Sequence, residues 1–233
     1  MPGPMRSLTT SNKLKLAYIG LAAIDTWLCG QPGKAAHRAR FLTKPLLMPA
    51  LAGSLATNLR AMDSPLRTPT LAAQLGAWGG DVALLGEGTK PFVTGAGSFA
   101  LGHAAYLHGF FYHRNRTPIS AAHGPRAVAG AWALTAPVMA VMAARRHREL
   151  GGPVLGYATF LAAMTAGAQH LDPAMPVSAR RLTAAGATLF MLSDSMLAVR
   201  KFVFSTPPRA LETGVMATYT TAQFLLSEGA SRA

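Results

Sequence analysis

Apolar positions along the chain come in long blocks and do not show the short periods of soluble helices or strands. Each block holds about 18 apolar or small residues, and short segments rich in charge, Pro or Gly separate the blocks. Since a helix rises about 1.5 Å per residue, one block approaches the ~30 Å hydrocarbon thickness of a bilayer. The pattern predicts about eight membrane-spanning helices, near residues 14–31, 43–60, 69–86, 91–112, 127–144, 152–170, 181–199 and 210–227.

Residues 127–144 and 152–169 form long runs without any Asp, Glu, Lys, Arg or His. Small residues, as in the segment GAGSFALG, let helices pack closely in lipid. The connections are brief and polar, and no segment suggests a soluble domain. We therefore predict an all-α fold, a polytopic membrane helical bundle forming one domain over residues 1–233.

Composition and charge agree with a membrane protein. The chain is 50% hydrophobic and 13% charged, whereas soluble domains carry about 25% charged residues. The net charge of +13 would suit nucleic acid, but Lys and Arg fall in short clusters between apolar blocks, with no nucleic-acid motif. We interpret them as anchors at lipid headgroups, so the expected partners are membrane lipids and not nucleic acid. They divide evenly between the two faces, which leaves the orientation unpredicted.

The N-terminal block has a basic start at Arg6, Lys13 and Lys15, as a signal peptide would. Asp25 interrupts its apolar stretch, however, and no clean cleavage site follows. We interpret the block as the first membrane helix.

Three of the acidic residues lie inside apolar blocks: Asp25, Asp81 and Asp194. An ionised side chain at mid-bilayer costs about 2.5–3.5 kcal/mol, so such residues face the bundle interior and commonly serve function. The spacing from the preceding loops predicts similar depths for all three, which would let the carboxylates converge in one layer. We interpret Asp81 and Asp194 as functional, with a structural ion pair or helix cap as the alternative, and Asp25 as structural or interfacial.

Other polar residues are placed to support that layer. Lys44 in TKPLLMP would either neutralise a carboxylate by snorkelling or only anchor the start of a helix. His103 shares a helix face with Phe99 and is a candidate for catalysis, with a hydrogen-bonded packing role as the alternative. Tyr219 and Gln223, four residues apart, are more typical of interhelical hydrogen bonding.

Ser193 and Ser195 flank Asp194 and would be able to stabilise its ionised form. No metal-binding spacing, nucleophile elbow or phosphate loop is present in the sequence. The sequence therefore indicates no metal site and no cofactor, with an Asp/His metal site assembled only in three dimensions as the alternative.

Five blocks taken together resemble the YhhN family of integral membrane proteins, which includes the lysoplasmalogenases. They are TKPLLMP, GGDVALLG, GAGSFALGHAAYLHGF, GATLFMLSDSMLAVRKF and YTTAQFLL, in this order along nearly the whole chain. The resemblance implies a multi-pass protein of the cell (inner) membrane with eight helices. It implies an enzyme that hydrolyses the vinyl ether of lysoplasmalogen to a fatty aldehyde and a glycerophospho-headgroup.

The family resemblance also implies site residues. The Asp of the GD block and the Asp of the SD block, here Asp81 and Asp194, are the expected catalytic pair. The KP block and the fourth-helix block place their Lys and His at Lys44 and His103. Two carboxyl groups suit the reaction, because it needs a proton donor together with a negative charge or base.

Other functions remain open at the level of sequence. A proton-coupled transporter of a small molecule or lipid would use the same carboxylates as a relay. A hydrolase of another ether lysolipid and a lipid-binding protein without catalysis are further possibilities. The sequence predicts no oligomeric state.

Overall fold

The computed structural model describes residues 8–233, so Arg6 of the basic N-terminal cluster lies outside the described residues. Within that range the fold is all-helical, and the described residues contain no β-strand. Its eight α-helices are α1 (Thr10–Gly30), α2 (Lys34–Ala56), α3 (Arg67–Ala83), α4 (Thr89–Tyr112), α5 (His123–Arg146), α6 (Gly151–Ala168), α7 (Val177–Phe202) and α8 (Arg209–Ala230).

Consecutive helices form antiparallel pairs, and α8 lies in the middle of the bundle, packed against α7, α1, α3 and α2. Two tight turns end with glycines at positive φ, Gly33 at 96° before α2 and Gly88 at 100° before α4, a conformation that other residues rarely adopt. These turns lie where α1 and α3 end. We call this end of the bundle, where odd-numbered helices end and even-numbered helices begin, the site end.

Three helical segments are long and apolar enough to cross a membrane: His123–Arg146, Arg148–Ala168 and Val177–Phe202. The first and third correspond to α5 and α7, and the second is α6 with the turn before it. The remaining helices carry more polar and charged residues, many of which are buried between helices.

Helix α2 differs most from its sequence-based bounds, since it begins at Lys34 and not near residue 43. The charged segment before residue 43 has the composition of a loop, but its Arg40 is buried like Lys44, one turn further along the same face. Lys44 therefore lies inside the helix, and the interpretation that it anchors a helix start is wrong.

Two prolines in α2 expose a backbone acceptor. Pro49 has no N–H to donate to the carbonyl of Pro45, four residues earlier. The indole Nε1 of Trp78 in α3 donates to that carbonyl at 3.0 Å. The bond ties α2 to α3 beside Lys44.

Helices α3 and α4 approach closely because glycines face each other. A Cβ on Gly76 would lie 2.7 Å from the Gly102 backbone nitrogen, and the ring of Phe99 occupies the space that a side chain at Gly80 would need. A side chain larger than hydrogen at these positions would push the helices apart. This packing sets the position of the next residue, Asp81.

Candidate active site

A cavity of about 450 Å³ lies at the site end between α2, α3, α7 and α8, with α4 also contributing to its wall. Asp81 and Asp194 both line it. The two aspartates predicted to converge thus face one space, of a size typical for ligand sites. The other lining residues with charged or polar side chains are His37, Arg40, Lys44, Glu87, Ser193, Arg200, Lys201, Glu212 and Tyr219.

Asp81 is 1% exposed and has two partners. The Tyr219 hydroxyl in α8 donates to its Oδ2 at 2.7 Å. The Lys44 Nζ in α2 lies 3.6 Å from its Oδ1. A negative charge on Asp81 is therefore compensated by an ammonium group and by a hydroxyl donor from two other helices.

Asp194 lies in α7, and its side chain is 12% exposed. The hydroxyl of Tyr157 in α6 donates to its Oδ2. His103 Nε2 in α4 lies 3.0 Å from the same hydroxyl and 3.7 Å from Asp194 Oδ2. Among the described residues, Asp194 has no Lys or Arg within ion-pair distance. Its environment is therefore less positively charged than that of Asp81.

Aromatic rings pack the floor between the two aspartates. Phe190 contacts Phe99, His103 and Tyr219 in edge-to-face geometry, with ring centroids 6.2, 4.9 and 5.5 Å apart. Phe99 also packs edge-to-face against Tyr219, at 5.8 Å. Such pairs lock ring orientation, so the hydroxyl of Tyr219 is held toward Asp81.

The structure places the remaining predicted residues at different distances from the cavity. Ser193 lines it, but its Oγ donates to the Val215 carbonyl at 3.0 Å, and Ser195 Oγ donates to Met191 at 2.7 Å. Neither serine bonds to Asp194, so the expectation that they stabilise its ionised form is wrong. The physical reason is that backbone carbonyls take both hydroxyl groups: Ser195 bonds to the Met191 carbonyl one turn earlier in α7, and Ser193 bonds across to α8.

Gln223 and His103 are buried but do not line the cavity. Gln223 Oε1 accepts from the Tyr106 hydroxyl at 3.3 Å, an interhelical bond of the kind predicted. His103 contacts Tyr157 and Asp194, and of these three residues Asp194 lines the cavity.

Sequence reasoning missed Tyr157. It belongs to a charge-free block, in which a tyrosine is ordinarily an interface residue, and nothing local distinguishes it. Its separation from Asp194 along the chain hides the contact. A family alignment showing an invariant tyrosine there would be the signal able to find it.

A second ionic network was also missed. Asp25 is fully buried and pairs with Arg40 at 3.3 Å and with the Thr43 hydroxyl at 2.6 Å. Arg40 continues to Glu212 at 2.9 Å, and Glu212 to Arg200 at 2.9 Å. Asp25 does not line the cavity, although Arg40, Arg200 and Glu212 do.

Most of the Lys and Arg side chains that line the cavity are already paired with carboxylates. Lys44 and Arg200 are paired with carboxylates, whereas Lys201 is exposed and lies over the Phe92 ring at 5.1 Å. Glu87 is also exposed and lines the same cavity, and we call the exposed edge formed by Lys201 and Glu87 the mouth of the cavity. The mouth therefore presents charges of both signs.

An apolar groove of about 340 Å³ adjoins the cavity between α4, α6 and α7. Only Asp194 and Tyr157 contribute polar side-chain atoms to its lining. The residues common to the walls of the cavity and the groove are Leu84, Phe92, Phe99, Asp194 and Leu197.

Residues 8–233 contain no group of three or more His, Cys, Asp or Glu side chains arranged to hold a metal ion. Two carboxyl groups, each with a tyrosine hydroxyl as neighbour, are groups of the kind that carry out acid–base chemistry.

Fold and site together define an all-helical protein with helices apolar enough to cross a membrane and a two-carboxylate cavity at one end of the bundle. Residues 39–230 match the model of the YhhN family, and the chain belongs to that family. A comparison with curated proteins finds no match, and a comparison with solved structures finds none.

Proposed function

We propose that this protein is a membrane-embedded hydrolase that cleaves the vinyl ether bond of lysoplasmalogen, or of a related ether lysolipid, to a fatty aldehyde and a glycerophospho-headgroup. One observation carries the proposal: Asp81 and Asp194 face one cavity, and each is hydrogen-bonded to a tyrosine hydroxyl. Membership of a family that includes lysoplasmalogenases supports it.

The reaction needs two groups with opposite tasks. An acid gives a proton to the β carbon of the vinyl ether, and the α carbon becomes an oxocarbenium ion. A base then takes a proton from water as the water oxygen bonds to the α carbon. The resulting hemiacetal loses its hydroxyl proton, the bond to the glycerol oxygen breaks, and that oxygen is protonated. The products are an aldehyde and an alcohol, and both carboxyl groups regain their starting states.

The environments of the two aspartates favour one assignment. Lys44 compensates a negative charge on Asp81, which suits the base and the electrostatic stabiliser of the oxocarbenium ion. Asp194 borders the apolar groove and has a histidine, but no Lys or Arg of the described residues, within 4 Å of its carboxyl group, which suits the protonated acid. Tyr157 and His103 would position Asp194 and return its proton.

We further propose that all eight helices cross the membrane. Large apolar side chains are exposed on helices outside the three most apolar ones, including Trp27, Leu42, Leu75 and Leu101. Lipid contact accounts for such a surface better than water does. Helix α8 would cross in the middle of the bundle, surrounded by its neighbours.

The mouth of the cavity suits a zwitterionic headgroup. Exposed Lys201 would bind the phosphate and exposed Glu87 would bind the ammonium of ethanolamine or choline. Both residues lie at the site end, where a headgroup would remain while the vinyl ether reached Asp194.

The direct test is aldehyde release from a defined lysoplasmalogen by the purified, detergent-solubilised protein. Asp81→Asn and Asp194→Asn should each lower release by about 10²–10⁴-fold, because neither amide can donate or accept the catalytic proton. Asp63→Asn, at an exposed position away from the cavity, is the matched control and should keep parental activity. Thermal unfolding of each variant checks that the fold is retained. An inactive but folded parent across headgroups would overturn the assignment.

A proton-coupled transporter is the alternative, and one observation favours it. Buried polar groups continue from Asp81 toward the opposite end of the bundle, through Tyr219, Gln223 and Tyr106. The Gln223 Nε2 and both amide atoms of Gln74 lack partners among the described residues, as groups along a hydrated path would. Proton flux into liposomes that depends on Asp81, without aldehyde release, would favour the transporter.

A further inference from the structure

The apolar groove between α4, α6 and α7 has features that interhelical packing does not require. Its α4 wall includes three small residues, Ala96, Gly97 and Ala100, and Gly156 lies on the α6 wall. A Cβ at Gly97 or at Gly156 would meet no atom within 4 Å. The glycines therefore border open space and are not needed for close helix contact, in contrast to those between α3 and α4.

The groove opens sideways. Val93 and Phe160, on its two walls, are 45% and 47% exposed, and Gly97 and Gly156 are exposed as well. In a bundle that spans a membrane, this opening faces the hydrocarbon region. A lipid chain would be able to enter between α4 and α6 without leaving the apolar phase.

The groove is continuous with the polar cavity. The two spaces share wall residues, and Asp194 stands at the boundary. A molecule lying across that boundary would have its charged end among the ionic groups of the cavity and its apolar end in the groove. A lipid with a charged headgroup has this division of charge.

We propose that the groove is the seat of the hydrocarbon chain of the lipid, which enters laterally between α4 and α6 while the headgroup stays in the cavity. The inference rests on the proposed function only in placing the reacting bond at Asp194. The seat itself is a binding site for a charged single-chain lipid and can be tested without turnover.

The first experiment uses a saturated-ether lysophospholipid with a diazirine near the end of its chain, added to the protein in nanodiscs. Because the saturated ether lacks the vinyl group, the probe binds without being cleaved. Photolabelling should fall on the groove residues of α4 and α6, and an excess of unlabelled lysophospholipid should reduce that labelling by competition. Labelling that spreads evenly over exposed apolar residues such as Leu134, without competition, would overturn the proposal and indicate bulk lipid contact only.

The second experiment fills the groove. In Gly97→Leu and Gly156→Leu, the concentration of unlabelled lysophospholipid needed to compete with the probe should rise by about tenfold or more. The reason is that the new leucine side chain takes the space of the lipid's hydrocarbon chain. Leucine is the better helix former, and neither site has a neighbour within 4 Å of the new Cβ, so folding is retained. Gly130→Leu in α5 is the matched control, because a Cβ there also meets nothing within 4 Å and Gly130 borders neither space. Loss of competition in the control as well would overturn the proposal.

The two proposals fail separately. Competed labelling in the groove without aldehyde release would leave the seat standing and remove the hydrolase. Aldehyde release that Gly97→Leu and Gly156→Leu leave unchanged, with no groove labelling, would leave the hydrolase standing and remove the seat.

Discussion

Two groups of carboxylates at the site end differ in what surrounds them. Asp25 is fully buried, is bonded to Arg40 and Thr43, and does not line the cavity. Asp81 and Asp194 border open space and are each bonded to a tyrosine hydroxyl. In the sequence the three acids look alike, each interrupting an apolar block.

Under the proposed function, this difference separates a structural buried charge from a catalytic one. The Asp25 network satisfies its charges within the protein, since Arg40 also binds Glu212, which binds Arg200. Asp81 and Asp194 both line the cavity, where Asp194 keeps 12% of its side chain exposed, and tyrosines bond to them without closing the space. Exposure to a shared cavity, more than burial, distinguishes the two groups.

The largest expected difference between the two groups of aspartates appears when each carboxylate is replaced by an amide. Asp81→Asn and Asp194→Asn should each lower kcat for aldehyde release by about 10²–10⁴-fold, the range for general acid–base groups. Asp25→Asn should leave kcat per folded molecule unchanged. Steady-state kinetics on material of verified fold checks this, and a large kcat loss in Asp25→Asn would erase the distinction.

The loss of unfolding free energy should rank these Asp→Asn variants in the reverse order. Asp25→Asn leaves Arg40 buried with one charged partner fewer, so the free energy of unfolding should fall by about 3 kcal/mol, the lower end for breaking a buried pair. Thermal or denaturant unfolding in detergent measures it. Asp194→Asn, whose side chain borders open space, should shift stability far less.

Tyr157 and Tyr219 allow a finer test, of how much each hydroxyl bond to a cavity aspartate contributes to activity. Tyr157→Phe and Tyr219→Phe each remove one hydroxyl donor to an aspartate that is ionised during the reaction, Asp81 as the base and Asp194 after it has given up its proton. The value of kcat/KM should therefore fall by roughly tenfold, as expected for a hydrogen bond to a charged group. Tyr106→Phe is a control, because its hydroxyl bonds to Gln223 and not to an aspartate. Equal losses in all three variants would show that the effect is general packing.

The smallest effect is expected at Ser193. Its hydroxyl is engaged with the Val215 carbonyl, so Ser193→Ala should cost about 1 kcal/mol of stability and change kcat little. Parallel unfolding and kinetic measurements check both parts. A kcat loss as large as that of Asp194→Asn would give Ser193 a direct role.

The sequence predicts the fold well where blocks are long and apolar, as in α5 and α7, because hydrophobicity alone sets those bounds. It fails at the start of α2, where Arg40 lies in a helix with a charged composition; only the distant Asp25 and Glu212 explain its burial. The convergence of Asp81 and Asp194 follows from helix rise and loop positions.

Other parts of the site depend on contacts that no local pattern encodes. The Tyr157 hydroxyl and the apolar groove arise from how α4, α6 and α7 lie together. The serines beside Asp194 look like its partners in the sequence, but Ser195 bonds to a carbonyl of its own helix and Ser193 to a carbonyl of α8. Neighbours in sequence are thus poor guides to neighbours in this site.

The bond from Trp78 to the Pro45 carbonyl gives the protein an optical reporter. An indole's fluorescence responds to its hydrogen bond and to nearby charge, and this one joins α2 to α3 next to Lys44, the partner of Asp81. The chain has three tryptophans, so replacing Trp27 and Trp132 with Phe leaves a single emitter at the site. Its emission would then follow ligand arrival and any parting of α2 from α3 in real time, without a label.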